Sequence, residues 1–444
     1  MILVYTKDIN SRVRYAFQFI FNSILGAEVE LTSDFPYFEQ SKQVRINYSS
    51  EISEKGLQLI PSGLLQKNQY IRKPEVGKRW HNLPTLFPQK DPQSFIPFDI
   101  FSSTFFLITR MEEYECDQLD KHGRFAAESS IAYKHDFLKQ PLVDQWSYQL
   151  AKTIQSHYPQ FIVRNDNRSF TLFPTFDIDN AFAYKHKELK RQLLGCAKEL
   201  FSFQFRSLMQ RLSTTFSSDT DPFDNYEYIF NTINKHNTQS LYFFLLGDLS
   251  RYDRNISHHC NAYQSIIQRC AQQGTVGIHP SYNSNENSAT LKTEIDRLHR
   301  IINKPVEKSR QHYLKLSFPD TYRSLIKEGI QEDFTMGYSS QVGFRASTCT
   351  PFSFYDLHSE QSTSLTVYSF AFMDSTLNQY LGLTTEQATE EIKSLLQHVH
   401  NVDGIFISLW HNQNLCDQGI WRGWREVYET MFTLKTSVTD ERGK

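Results

Sequence analysis

The chain has 444 residues and a net charge of −2 with no stripe of Lys and Arg, which leaves room for two domains and argues against nucleic acid as a partner. No apolar run is long enough to span a bilayer, and the start, Met1-Ile2-Leu3-Val4-Tyr5-Thr6-Lys7-Asp8, becomes charged at once, so neither a membrane span nor an export signal is expected and the cytoplasm is the expected compartment. Six cysteines without CxxC pairing or zinc-type spacing fit reduced, buried thiols and exclude a disulfide framework.

Val13, Phe17, Ile20 and Ile24 recur at helical spacing, with Asn10 or Ser11 as cap and Gly26 just beyond, and predict an amphipathic helix. Val44, Ile46 and Tyr48 alternate as in a half-buried strand. From Glu51 to Gln93, Pro and Gly recur among polar residues and no element can be placed. Asp99 then precedes an apolar run, Ile100 to Ile108, that predicts a buried helix. Glu112, Glu113, Asp117, Asp120 and His122 lie close together; a solvated helix face with a polar loop accounts for them, and no chemistry is assigned there. Val143, Trp146, Leu150 and Ile154 mark another helix. The polar stretch Arg164-Asn165-Asp166-Asn167-Arg168 reads as a linker, dividing the chain into an α/β domain at 1–165 and a second domain at 166–444.

Phe170 to Phe176 is aromatic and β-branched enough for a buried strand, and it ends in Asp177-Ile178-Asp179. Two carboxylates at a strand's C-terminal tip are candidates for a general base and a metal ligand, or else for a helix cap. Strand-like and helical segments then alternate: Leu241 to Leu246, Asn261 to Gln273, Val276 to Ile278, Leu291 to Ile302, Tyr313 to Leu316, Asp320 to Gly329, Thr366 to Met373, a capping box at Thr384 and Gln387, and Gly404 to Trp410. The alternation predicts a parallel sheet closed or nearly closed into a barrel. Polar residues fall repeatedly at its strand ends: Asp177 and Asp179, His279, Arg310 with His312, Asp333, and His411.

From Arg168 to Phe432 the order of motifs resembles the polysaccharide deacetylases, the NodB-homology superfamily of carbohydrate esterases. The matching stretches are Thr175-Phe176-Asp177-Ile178-Asp179, His279-Pro280-Ser281-Tyr282-Asn283, Arg310-Gln311-His312-Tyr313, Glu332-Asp333 and Leu409-Trp410-His411. The region with Phe98-Asp99-Ile100-Phe101 and Asp120-Lys121-His122-Gly123-Arg124-Phe125 is similar to an uncharacterised domain that precedes such catalytic domains in certain bacterial proteins.

The resemblance implies an α/β fold with a distorted, deacetylase-like (β/α) barrel, and metal-dependent removal of N-acetyl or O-acetyl groups from a carbohydrate. Its cofactor would be a divalent metal, usually zinc in that family. Carried over by motif, Asp177 is the general base, Arg310 its partner, His411 the general acid and Asp333 the group that orients it; Asp179 and His279 bind the metal. Asn283 stands where the second metal histidine belongs and offers only an amide oxygen. That substitution keeps a rival reading alive, a degenerate barrel that binds glycan or assembles without turnover. His312 replaces the family proline and is read as a packed histidine in preference to a substitute ligand. Tyr282 and Tyr313 stand where substrate would pass. Arg345, in Gly343-Phe344-Arg345-Ala346, is either a substrate partner or a structural ion-pair partner. Trp410 offers a sugar-stacking surface with Trp421 and Trp424, although Trp424, Tyr428 and Met431 have the spacing of a core.

Overall fold

The computed structural model describes residues 1–116, 118–163, 168–217 and 219–440. Of the stretch expected to link two domains, 164–168, all but Arg168 lies outside the described residues, as does Asp117. Four short strands, β1 (Ile2–Tyr5), β2 (Val29–Thr32), β3 (Val44–Tyr48) and β4 (Leu57–Leu59), form a parallel sheet in the order β2-β1-β3-β4. The stretch left unplaced by sequence holds β4 and an antiparallel pair, β5 (Val76–Trp80) and β6 (Leu83–Leu86). Helix Ser11–Gln18 runs on as a π-helical segment, Phe19–Ile24, so the amphipathic run is one continuous helix capped by Asn10, whose side chain accepts from Val13 N. Asp99 caps helix Ile100–Ile108 in the same way, and every residue of that helix is buried.

The larger sheet has nine strands: β7 (Thr171–Ile178), β8 (Leu241–Phe244), β9 (Thr275–Ile278), β10 (Lys308–Ser309), β11 (Glu332–Met336), β12 (Phe352–Asp356), β13 (Gln361–Ser369), β14 (Phe372–Met373) and β15 (Ile405–His411). Their order is β12-β13-β11-β10-β9-β8-β7-β15-β14, parallel except for β12 against β13. Phe173 on β7 and Phe334 on β11 are four strands apart, yet their ring centroids are 6.2 Å apart. In a flat sheet they would be separated by about 19 Å. The sheet is therefore curled into a half-barrel around Leu241, Phe243, Phe334, Phe370, Ile407 and Leu409. Among the described residues β12 and β14 do not pair, so the barrel is open where the sequence pattern predicted near closure. The segment Tyr313–Leu316, expected as a strand, is instead a tight turn, because the strand has already ended at Ser309.

One apolar core, separate from the cluster inside the barrel, reaches from Ile2 to Phe432, so the N-terminal strands and helices pack on the barrel and are continuous with the core outside its sheet. Tyr15 meets Tyr355 with ring centroids 5.0 Å apart, and buried Asp144 accepts from Thr348 Oγ1 at 2.7 Å and from Cys349 N at 3.1 Å. Among the described residues no helix is long and apolar enough to cross a membrane.

Candidate active site

Strand alternation decides which side chains enter the barrel mouth. On β15, Ile407 and Leu409 belong to the interior cluster, so His411 points inward too. On β7, Phe173 packs against the same cluster, which puts Asp177 and then Asp179 on the inner face with Ile178 between them on the outer one. The intervening isoleucine thus keeps both acids in one cavity. Asp177 and His411 stand opposite each other in register.

The ligating atoms of Asp179, His279 and His312 lie within 4.8 Å of one another. Asp179 Oδ1 is 3.2 Å from His279 Nε2 and 3.7 Å from His312 Nε2. Each imidazole is oriented from its far side. His279 Nδ1 donates to the carbonyl of Arg310 at 2.5 Å, and His312 Nδ1 donates to Asp253 Oδ1 at 2.8 Å. Both Nε2 atoms are therefore left with lone pairs aimed at the carboxylate. Asp179 Oδ1 is buried and, among the described residues, has no hydrogen-bond partner. An oxygen facing two bare nitrogens is repulsive unless a cation sits between them, so these residues fit a divalent metal. When no cation is there, a proton substitutes: burial opposes charge on His279, but Asp177 and Asp179 outweigh it and raise its pKa. Burial likewise works against ionised Asp179, and His312, His279 and His411 hold it well below the usual carboxylate range.

Asp177 Oδ1 accepts from Arg310 Nη1 at 2.9 Å, and its Oδ2 lies 3.8 Å from His279 Nε2. Arg310 is fully buried, its guanidinium centred 4.6 Å over the Phe243 ring and its Nε donating to the carbonyl of Phe334. His411 Nε2 is 3.8 Å from Asp179 Oδ2, on the side of the cavity across from His279. Its Nδ1 donates to Asp374 Oδ1 at 2.7 Å. Burial alone would discharge His411, but Asp374, Asp179 and Asp177 push its pKa up to about 10.

Several expected residues stand elsewhere. Asn283 is exposed and outside the cluster; His312, read from sequence as packing, occupies the third position. Asp333 does not orient His411: it alternates with inward Phe334 and so faces the helical layer, where it accepts from Ser309 Oγ and Thr335 Oγ1 at 2.8 Å each. Asp374 holds His411 instead. It follows β14 directly, so the strand-end pattern that singled out Asp177 could have found it; Asp253 lies in a loop and carries no such signal. Trp410 alternates outward, is fully buried against Phe372 and Tyr428, and cannot stack on a ligand. Arg345 is buried in an ion pair with Glu113, which also accepts from Arg110 Nε at 2.7 Å. Glu112 and Glu113, expected on a solvated face, are thus partners of buried arginines that join the N-terminal region to the barrel, where Arg110 Nη2 also meets Tyr338 Oη.

Tyr282 and Tyr313 do line the mouth. Tyr252 stacks on Tyr282 at 4.2 Å, Tyr313 meets both edge-on at 5.5 Å, and His122 lies 4.9 Å from Tyr313. His122 comes from the Asp120–Phe125 loop, so the N-terminal region supplies one wall of the rim. Arg124 of that loop pairs with Asp120 and donates from Nη1 to the carbonyl of Tyr313 at 2.6 Å. That carbonyl sits in a turn where Tyr313 and Leu314 have φ of 60° and 52°, left-handed for two bulky residues in succession. Such a backbone costs about 1–3 kcal/mol per residue and persists only when its surroundings hold it.

Residues 2–159 match the model of DUF7033, a family of unknown function. No curated protein matches this sequence. Among solved structures, a candidate polysaccharide deacetylase from Mycobacterium smegmatis aligns at 12% identity over 63% of this chain and 94% of its own, with a TM-score of 0.40. The polysaccharide deacetylase Bc1974 from Bacillus cereus aligns at 13% identity over 62% of this chain and 89% of its own, with a TM-score of 0.30. BA3943, a CE4 family pseudoenzyme from Bacillus anthracis, aligns at 11% identity over 61% of this chain and 62% of its own, again at 0.30.

Proposed function

We propose that the protein is a metal-dependent carbohydrate deacetylase, hydrolysing an N-acetyl or O-acetyl group of a sugar, with residues 166–444 as the catalytic barrel and 1–165 as a region packed on it. The observation that carries this reading is the orphaned Asp179 Oδ1 between two oriented imidazoles, with a held carboxylate and a held imidazole on the rim of the same cavity. Asp179, His279 and His312 would hold the ion, and a set of one carboxylate and two imidazoles suits zinc with an open position. Bound there, the ion would polarise the acetyl carbonyl and lower the pKa of water.

The chain's own groups account for the proton traffic. Arg310 engages Oδ1 of Asp177 and keeps that carboxylate fixed, which leaves Oδ2 to take the proton of the attacking water. His411, oriented by Asp374, donates from Nε2 to the leaving amine or alcohol as the acyl bond breaks, so acetate and the free sugar group form together. Half-buried Tyr252, Tyr282 and Tyr313 give the sugar apolar ring faces beside the reacting carbonyl.

Acetate release from N-acetylated chito-oligosaccharides by the zinc-loaded protein tests this, with Asp177→Asn expected to abolish it. A protein that binds zinc and the oligosaccharide yet releases no acetate would establish the non-catalytic, glycan-binding alternative.

A further inference from the structure

Between β7 and β8 the chain makes a helical hairpin, Leu189–Phe201 and Phe205–Phe216, most of whose large apolar side chains face solvent, with Leu208 and Leu212 half-buried. Leu193, Leu200 and Phe201 form a stripe at helical spacing on the first helix, and Phe205, Met209 and Phe216 form one on the second. Phe203 stands in the turn between them. Phe201 and Phe216 are each 82% exposed and Phe203 is 79% exposed. Nine of the nineteen large apolar residues exposed among the described residues fall in this one hairpin, so the exposure is concentrated and not the scatter any surface shows. The residues the two helices bury are Glu199 and Thr214, the reverse of what packing against a core requires.

Charge narrows the partner. From Lys185 to Phe216 seven Lys and Arg stand against two Glu, an excess of five positive charges in a chain whose net charge is −2. Glu199 is taken up by Arg211, while Lys190, Lys198 and Arg206 are exposed. Two copies of the hairpin would bring like charges together. A polyanion without an apolar phase would leave the phenylalanines in water. Basic side chains flanking an exposed Leu and Phe stripe match an anionic lipid surface, in which rings enter the acyl boundary and cations stay among the headgroups.

We propose that this hairpin docks the protein on an anionic lipid bilayer, lying in the interface without crossing it. It also places the site: Arg191 donates to the carbonyls of Arg254 and Asn255, in the loop that carries Tyr252 and Asp253, so the docked face borders the barrel mouth. The surface stands on exposure and charge, independently of the chemistry assigned to the mouth.

Co-sedimentation of the full chain with vesicles of phosphatidylcholine alone, and of phosphatidylcholine with phosphatidylglycerol, is the test. Binding to the anionic vesicles is expected, falling with salt. Neutralising Lys190, Lys198 and Arg206 to Gln should weaken it by about a hundredfold, at about fivefold per cation. Replacing Phe201, Phe203 and Phe216 by Ser should weaken it by at least about a hundredfold, with the melting temperature unchanged because these rings stand largely in solvent. Binding to neither vesicle, equal binding to both, or a solution dimer that the serine variant dissociates would each overturn the proposal.

Discussion

Asp253→Ala removes the acceptor that fixes His312 Nδ1–H and, through it, the direction of the Nε2 lone pair. Losing an outer partner of a metal-bound histidine costs about 10–100-fold in metal affinity, or about 1.4–2.7 kcal/mol. Asp253→Asn keeps an oxygen acceptor at the same place, so its loss should be smaller. His312→Ala deletes the nitrogen itself and should exceed both. Asn283→Ala alters an exposed side chain outside the cluster and should leave affinity unchanged. Zinc or cobalt titration by calorimetry, backed by competition with a chromophoric chelator, gives all four values. Asp253 also accepts from Tyr282 N and Ser250 Oγ, so melting of each metal-free variant separates lost orientation from a loosened loop. Equal weakening by Asn283→Ala and His312→Ala, or an Asp253→Ala variant that binds as tightly as the parent, would refute the ligand role of His312.

Arg124→Ala frees the Tyr313 carbonyl from the N-terminal loop and lets the left-handed turn relax; cobalt affinity should fall and the cobalt absorption spectrum shift, with Arg124→Lys intermediate, and an unchanged spectrum would show that the turn holds without its clamp. Glu113→Gln leaves Arg110 and Arg345 buried without their shared carboxylate, a loss of about 3–5 kcal/mol. With about 2.1 cal/mol/K of unfolding entropy per residue, that is about 3–5 °C in melting temperature for one cooperative unit of 444 residues, and a shift under about 1 °C would count against the network. Burial pushes Glu294 from 4.5 up to about 7, so its protonated form stabilises the fold fully below the lower value and that contribution is lost as pH rises through the upper one. Glu294→Gln, which cannot ionise, should match the parent near about pH 4 and be more stable by up to about 3 kcal/mol above about pH 8; equal melting at every pH would contradict the burial cost.

Chain pattern alone carried the alternation of strands and helices and the strand-end positions of Asp177, Asp179, His279, Arg310 and His411. Those readings rest on period and on local chemistry: a strand must alternate, and a charged residue closing an apolar strand needs a use at its tip. The same logic reached the capping box at Thr384 and offered Asn10, with Ser11, as the cap of the first helix, because a cap is satisfied within three residues. It did not reach the contacts that close over long spans. Asp253 meets His312 across a loop, Arg124 meets Tyr313 from the far side of the chain, and Glu113 meets Arg345 between two regions that share a core. Polar clusters such as Glu112 and Glu113 look solvated in sequence because their partners are distant in it.

What the amino-acid order determined by itself is which residues stand at which strand tips and on which face, since side-chain direction follows from local backbone geometry. Only the curled sheet decided which of those tips meet. It left Asn283 in solvent and brought His312 to the position beside Asp179 that the motif had assigned to another residue, because a cavity is fixed by the curvature of nine strands together and not by the spacing within any one of them.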